Sequence, residues 1–130
     1  MGKFSVKQTQ AGFSFHLVAD NGKIVATSQV YTTKASCLKG IESVQTNAPL
    51  SPVEDQTEKD FEPEACPKYE VYKDKADQFC FRLKAGNGAI IAASQGYKAK
   101  ASCLNGIDSV RMNAVTSDVV EEDIPADETN

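Results

Sequence analysis

Histidine is nearly absent from this chain, and that shortage removes whole classes of chemistry. His16 is the only one in 130 residues, and nucleophilic catalysis needs a base held in place by a third group. The alternation around it turns His16 away from the face of Phe15 and Leu17, and Arg82 stands at the equivalent place later in the chain. The four cysteines, Cys37, Cys66, Cys80 and Cys103, form no C-x-x-C pair, which excludes the usual zinc and dithiol spacings. The calcium-loop pattern D-x-D-x-D-G is missing. A phosphate-cradling glycine loop is missing too: Ala85-Gly86-Asn87-Gly88-Ala89 has Asp20 at the place equivalent to Gly86 and reads as a hairpin turn. No cofactor or metal is therefore expected. No apolar run approaches the ~20 residues of a membrane helix. Met1-Gly2-Lys3-Phe4-Ser5-Val6 enters a strand-like pattern directly, without the apolar core of a secretory leader. These shortages predict a cytoplasmic protein with free thiols.

What is present is a repeat. Phe13 to Ala48 aligns without gaps on Phe79 to Ala114, with roughly 60 per cent of positions identical. Upstream, Lys3-Phe4-Ser5-Val6-Lys7 matches Lys68-Tyr69-Glu70-Val71-Tyr72 after a one-residue shift. The net charge of −4 is unevenly spread. Each copy is mildly basic in its body, and each is followed by an acidic segment. One copy alone is near the size at which a single core becomes marginal, so the two are expected to share one.

Each copy has the same grammar. Phe4-Ser5-Val6 reads as a short strand and Gln10-Ala11-Gly12 as a turn. Phe13, Phe15, Leu17 and Ala19 then alternate with polar neighbours as in a half-buried strand. Asn21-Gly22 predicts a hairpin through a type I′ turn, and Ile24 to Ser28 is the returning strand. The period then changes: Ala35, Leu38, Ile41 and Val44 recur at three-residue steps, a helical stripe. Thr33 is the expected N-cap, a role Ala99 cannot take in the second copy. Pro49 stops the first helix. Gly40 and Gly106 fall inside the helices at a cost of about 1 kcal/mol each relative to alanine, which predicts a close approach of helix to sheet. Pro52-Val53-Glu54 and Val119-Val120-Glu121 each offer a short final strand.

The fold class expected is α+β: a tandem repeat of a three-stranded antiparallel meander plus one helix, joined in one pseudo-two-fold sheet with the helices on one face. The boundaries are 1–56 for the first repeat, 57–67 for an acidic linker, 68–124 for the second repeat and 125–130 for a disordered tail, the two repeats forming a single compact domain.

The shared motif N-G-x-I-x-x-S-x-x-Y-x-x-K-A-x-x-x-x-G-I-x-S-V resembles the YegP-like family, small bacterial proteins of unknown function. Asn21-Gly22, Ser28, Tyr31, Lys34-Ala35, Gly40-Ile41 and Ser43-Val44 carry it in the first copy. Asn87-Gly88, Ser94, Tyr97, Lys100-Ala101, Gly106-Ile107 and Ser109-Val110 carry it in the second. The resemblance implies three strands, a helix and a last strand per unit, with the last strands open to exchange between units. The longer acidic linker of this chain departs from the family pattern. No activity comes with the resemblance.

Among candidate functional residues, Tyr31 and Lys34, with Tyr97 and Lys100, precede the helices, where a tyrosine and a lysine suit a phosphate or carboxylate. The competing reading is tyrosine packed over the sheet edge and lysine in solvent. Cys37 and Cys103 hold equivalent places near Lys34 and Lys100. They read as small buried hydrophobes rather than low-pKa thiols. Glu54-Asp55 and Glu121-Glu122-Asp123 read as solvated acidic runs. The function expected is a non-catalytic binding or interaction module, monomeric with pseudo-dimeric repeats. The alternatives are a small enzyme or redox-sensitive protein using Cys37 and Cys103, or a weak nucleic-acid binder using a basic sheet face with aromatics such as Tyr72.

Overall fold

The computed structural model describes residues 2–116 and 118–121. The first copy supplies β1 (Lys3–Thr9), β2 (Gly12–Val18), β3 (Ile24–Thr27), α1 (Lys34–Asn47) and β4 (Val53–Asp55). The second supplies β5 (Lys68–Lys73), β6 (Phe79–Lys84), β7 (Ile90–Ala93), α2 (Lys100–Thr116) and β8 (Asp118–Glu121). All eight strands form one sheet in the order β4-β5-β6-β7-β3-β2-β1-β8. This is the α+β tandem architecture that the repeat predicts. The expected tail, 125–130, lies outside the described residues, as do Glu122 and Asp123.

The final strands are exchanged. β4 follows the first helix yet pairs in parallel with β5, Val53 opposite Tyr69. β8 follows the second helix and pairs in parallel with β1, Phe4 opposite Val119. The helices explain the crossing. Each packs on the second strand of its own copy and the third strand of the other: α1 on β2 and β7, α2 on β6 and β3. The end of α1 thus arrives at the second copy, where the Tyr69 hydroxyl donates to the Ala48 carbonyl at 2.8 Å. Arg111 of α2 lies 5.2 Å over the Tyr69 ring and donates to the Ser51 carbonyl at 2.7 Å. A cation and a donor at a helix C-terminus complement its partial negative charge.

Alternation puts Phe4, Val6, Phe15 and Leu17 of one copy, and Tyr69, Val71, Phe81 and Leu83 of the other, on the helix-facing side. They join Ile41, Val44, Ile107 and Val110 in one buried cluster. Phe4 meets Phe15 edge-on at 5.8 Å, and Tyr69 meets Phe81 in the same way at 6.2 Å.

Local details refine the expectations. Thr33 caps α1 by accepting from the Ser36 N–H at 3.1 Å. The Asn21-Gly22 hairpin forms, but its turn is not type I′. Ala19 accepts from the Gly22 N–H, and Gly22 alone in that turn takes a positive φ, +82°. That is a type I turn closed by a left-handed glycine, and the ladder beyond it has a separate bulge at Val25. The helix glycines make room for tyrosine rings rather than for sheet backbone. A Cβ at Gly40 would strike the Tyr31 hydroxyl, and one at Gly106 would lie 2.8 Å from that of Tyr97.

The acidic run at Glu54-Asp55 is not solvated. Glu54 is 3 % exposed because β4 is paired and the following segment folds back over it, the Glu64 N–H donating to its carboxylate at 2.7 Å. Lys68 bonds the same carboxylate at 2.7 Å. Burial alone would raise the Glu54 pKa, but Gln56, Lys68 and the Glu64 amide together hold it down at about 2.

Candidate functional site

The repeats meet at the middle of the sheet, where β3 and β7 are in register at one residue pair, Thr27 with Ala93. From there the second copy peels away. Tyr97 pairs with Phe79 rather than with β3, exchanging backbone hydrogen bonds at 2.7 Å in both directions. The gap between β3 and the segment after β7 is roofed by α2. It forms an open groove of about 320 Å³ bounded by Lys23, Ile24 and Val25 on one side and Gln95 and Tyr97 on the other. Ser102, Asn105 and Ser109 of α2 line it. A second open hollow of about 300 Å³ adjoins it, sharing Asn21, Asn105 and Ser109 and lined also by Asp20, Asp108 and Met112. The groove's polar walls are largely amides and hydroxyls, which donate and accept hydrogen bonds in neutral form.

Of the four residues preceding the helices, Tyr97 lines this groove and Tyr31, Lys34 and Lys100 do not. Tyr31 stacks on Phe15 at 6.5 Å beneath Gly40. Burial raises the pKa of both tyrosines. Lys34 is half-buried at the start of α1. Lys100 is half-buried and paired rather than free in solvent. It bonds Asp55 at 2.8 Å and Glu58 at 2.5 Å, both from the segment that trails the first copy. These bonds, outweighing burial, raise its pKa. The sequence pattern missed the groove because its walls come from opposite copies, and Asn105 and Gln95 carry no motif by which to single them out.

The thiols lie elsewhere. Cys37 of α1 and Cys103 of α2 are fully buried. Burial raises the Cys37 pKa and drives that of Cys103 to about 11, the reverse of what a reactive cysteine needs. Cys80, on the opposite face of the sheet from Phe81, is raised by burial and by the Asp74 carboxylate. All four cysteines are free. His16 meets the Thr27 hydroxyl at 3.1 Å. Tyr72 is half-buried, with the Arg82 guanidinium 4.5 Å above its ring. Among the described residues, no three His, Cys, Asp or Glu side chains are placed to hold a metal ion. No helix of the described residues is long and apolar enough to cross a membrane.

Comparison with known proteins places this fold. A family model described as a domain of unknown function, DUF1508, matches twice, over residues 9–55 and 74–121. A UPF0339 protein encoded in the 5′ region of the ptx operon of Stutzerimonas stutzeri is 39 % identical, covering 92 % of this chain and 96 % of its own. A Treponema denticola UPF0339 protein is 59 % identical over 54 residues, which is 93 % of its length but 42 % of this chain. It is thus similar to a single unit. The solution structure of the E. coli protein of unknown function YegP superposes with a TM-score of 0.75 at 35 % identity, covering 93 % of this chain and 92 % of that one. A UPF0339 protein from Shewanella oneidensis gives the same TM-score of 0.75 and the same 35 % identity, covering 92 % of this chain and 90 % of its own. With both copies matched and the exchanged eight-stranded sheet in hand, the chain belongs to the YegP-like DUF1508 family, whose relatives are proteins of unknown function.

Proposed function

We propose that the chain is a non-catalytic binding module whose ligand lies in the seam groove. The observation that carries this is the composition of the channel. Asn21 and Lys23 from one copy converge with Gln95, Ser102, Asn105 and Ser109 from the other, the concave arrangement of a ligand site. Tyr97 is the member of the expected quartet assigned to contact the ligand. Tyr31 and Lys100 act in packing and in anchoring the linker. Catalysis would need a tuned acid, base or nucleophile within reach, and the thiols are closed off and shifted the wrong way. Nucleic-acid binding is disfavoured because the aromatic ring available on the opposite sheet face, Tyr72, is already covered by Arg82. On this reading the repeats, 1–56 and 68–124, act as one monomeric unit, and the free thiols fit a cytoplasmic location.

Titrating the isotope-labelled chain with a library of small polar compounds tests the proposal by backbone NMR. Shifts should cluster at Lys23–Val25, Gln95 and Ser102–Ser109. Shifts confined to the outer sheet face, with none in the groove, would refute it.

A further inference from the structure

One wall of the groove is main chain. β3 pairs with β2 through Val18 opposite Ile24 and Leu17 opposite Ala26, so the register skips Val25. On its other side β3 meets β7 at Thr27 alone. Ile24 and Val25 therefore border the groove along a strand edge with no registered partner there. An extended chain can add to such an edge through backbone hydrogen bonds. The opposite walls, through Gln95 and Asn105, carry side-chain amides, whose carbonyl and NH₂ match the acceptor and donor of a peptide bond. Along α2 the lining residues run from Ser102 to Asn113, about 16 Å at the helical rise. That is the span of about five residues of extended chain.

We infer that the groove receives a short extended peptide segment of polar, near-neutral character, laid along Ile24–Val25 and gripped by the side-chain amides. This rests on the seam groove being the binding site and specifies what enters it. The recognition is by backbone, so the fit depends on extended shape more than on any one side chain. Lys23 at one end and Asp20 and Asp108 at the other disfavour a segment of strong single-sign charge.

The test uses the intact labelled chain with three probes: a blocked tetrapeptide of alternating valine and serine, a disaccharide, and inorganic phosphate. The peptide is expected to shift the amides of Lys23, Val25, Gln95 and Asn105 and to slow hydrogen exchange at Val25. The control is Asn105→Lys, which places on α2 the residue that α1 carries at its equivalent, Lys39, and so should leave the fold intact. It should weaken peptide binding by at least about tenfold. If the disaccharide or phosphate moves the groove amides and the peptide does not, the groove binds but the peptide assignment is wrong. If no probe moves them, both readings fall. Equal peptide affinity in Asn105→Lys would place the contact elsewhere and overturn the inference.

Discussion

The two outer edges of the sheet share one register and carry opposite solutions. At β4-β5-β6, Glu70 is 3 % exposed and accepts from Arg82 at 2.6 Å, Lys68 at 3.0 Å and Lys84 at 3.3 Å. Glu54 lies 2.7 Å from the same Lys68. At β8-β1-β2 the corresponding places hold Ser5, His16, Lys3, Val18 and Val120. The helix-facing residues of the two edges are nearly the same, Phe4 and Val6 against Tyr69 and Val71. The difference teaches that packing against the helices fixes one face of the repeat while the other face is free to diverge. The charged version goes with the segment after β4, which covers it.

The sharpest way to break this comparison is to remove one charge from the charged edge. Glu70→Ala leaves Lys68 with Glu54 alone and takes the carboxylate from Arg82 and Lys84, and should cost about 3 kcal/mol, the low end for a broken buried pair because those two cations are part-exposed. Recasting the whole edge in the neutral pattern should behave differently. Glu54→Val, Glu70→Ser, Arg82→His and Lys84→Val with Lys68→Met should fall within about 1–2 kcal/mol of the parent, since replacing an entire buried ion cluster is often neutral. Urea unfolding measures both. A single variant as stable as the multiple one would remove the distinction drawn here.

Acid probes the same edge reversibly. The Glu54 pKa is held down at about 2 in the folded chain against an ordinary 4.5, and Glu70 is lowered too, its bonds to Arg82, Lys68 and Lys84 overcoming burial. A depressed carboxylate stabilises fully above its unfolded pKa and loses that contribution as pH falls towards its folded one. Stability should therefore drop steeply between pH 4.5 and about 2. The drop should shrink in the neutral-edge variant. Thermal midpoints across that range report it.

The helix glycines give an effect of about 1–3 kcal/mol with an inverted sign. An alanine inside a helix normally gains about 1 kcal/mol over glycine. At Gly40 and Gly106 the added methyl meets a tyrosine hydroxyl, so overpacking should outweigh propensity and destabilise. The copies differ in what remains once the hydroxyl is gone. Tyr31→Phe should rescue Gly40→Ala only in part, because the Cζ of that same ring still lies 2.8 Å from the added methyl. Tyr97→Phe should likewise rescue Gly106→Ala only in part, because there Phe81 remains at 2.9 Å. Calorimetry on the four variants separates the cases.

The meander, the helices and the shared core were legible because they rest on period: alternation through Phe13–Leu17, and three-residue steps from Ala35 to Val44. The turn type was not, since Asn21-Gly22 serves equally in a type I′ turn and in a type I turn ending on Gly22, and strand twist decides between them. The exchange of β4 and β8 was legible only as an option. A three-residue strand such as Val53–Asp55 carries no signal for its partner, which is set by where α1 ends. Glu54 looked solvated because a carboxylate in an acidic run does not announce that Lys68, fourteen residues later, will be folded against it. The groove escaped for the same reason: each wall is ordinary in its own copy, and the site exists only where the copies meet.

The smallest expected effect tests whether the copies compensate internally. At the start of the second strand, one copy has Gly12 facing Val30 and the other has Gln78 facing Gly96. Size has moved from one partner to the other. A Cβ at Gly96 would strike the Gln78 side chain and lie 3.1 Å from an Asp74 carboxylate oxygen, so Gly96→Val should cost about 1–2 kcal/mol by overpacking. Adding Gln78→Gly restores the pairing of the first copy and should recover about half, leaving a coupling energy of about 0.5–1 kcal/mol in a double-mutant cycle. Strict additivity would mean that the two positions do not sense each other. The reverse graft should fail. Gly12 sits at φ +143° with the Tyr31 carbonyl against its α-carbon, so Gly12→Gln is strained whatever residue replaces Val30. Compensation is therefore available in the second copy alone, where the turn is one residue longer and Gln78 adopts an ordinary φ.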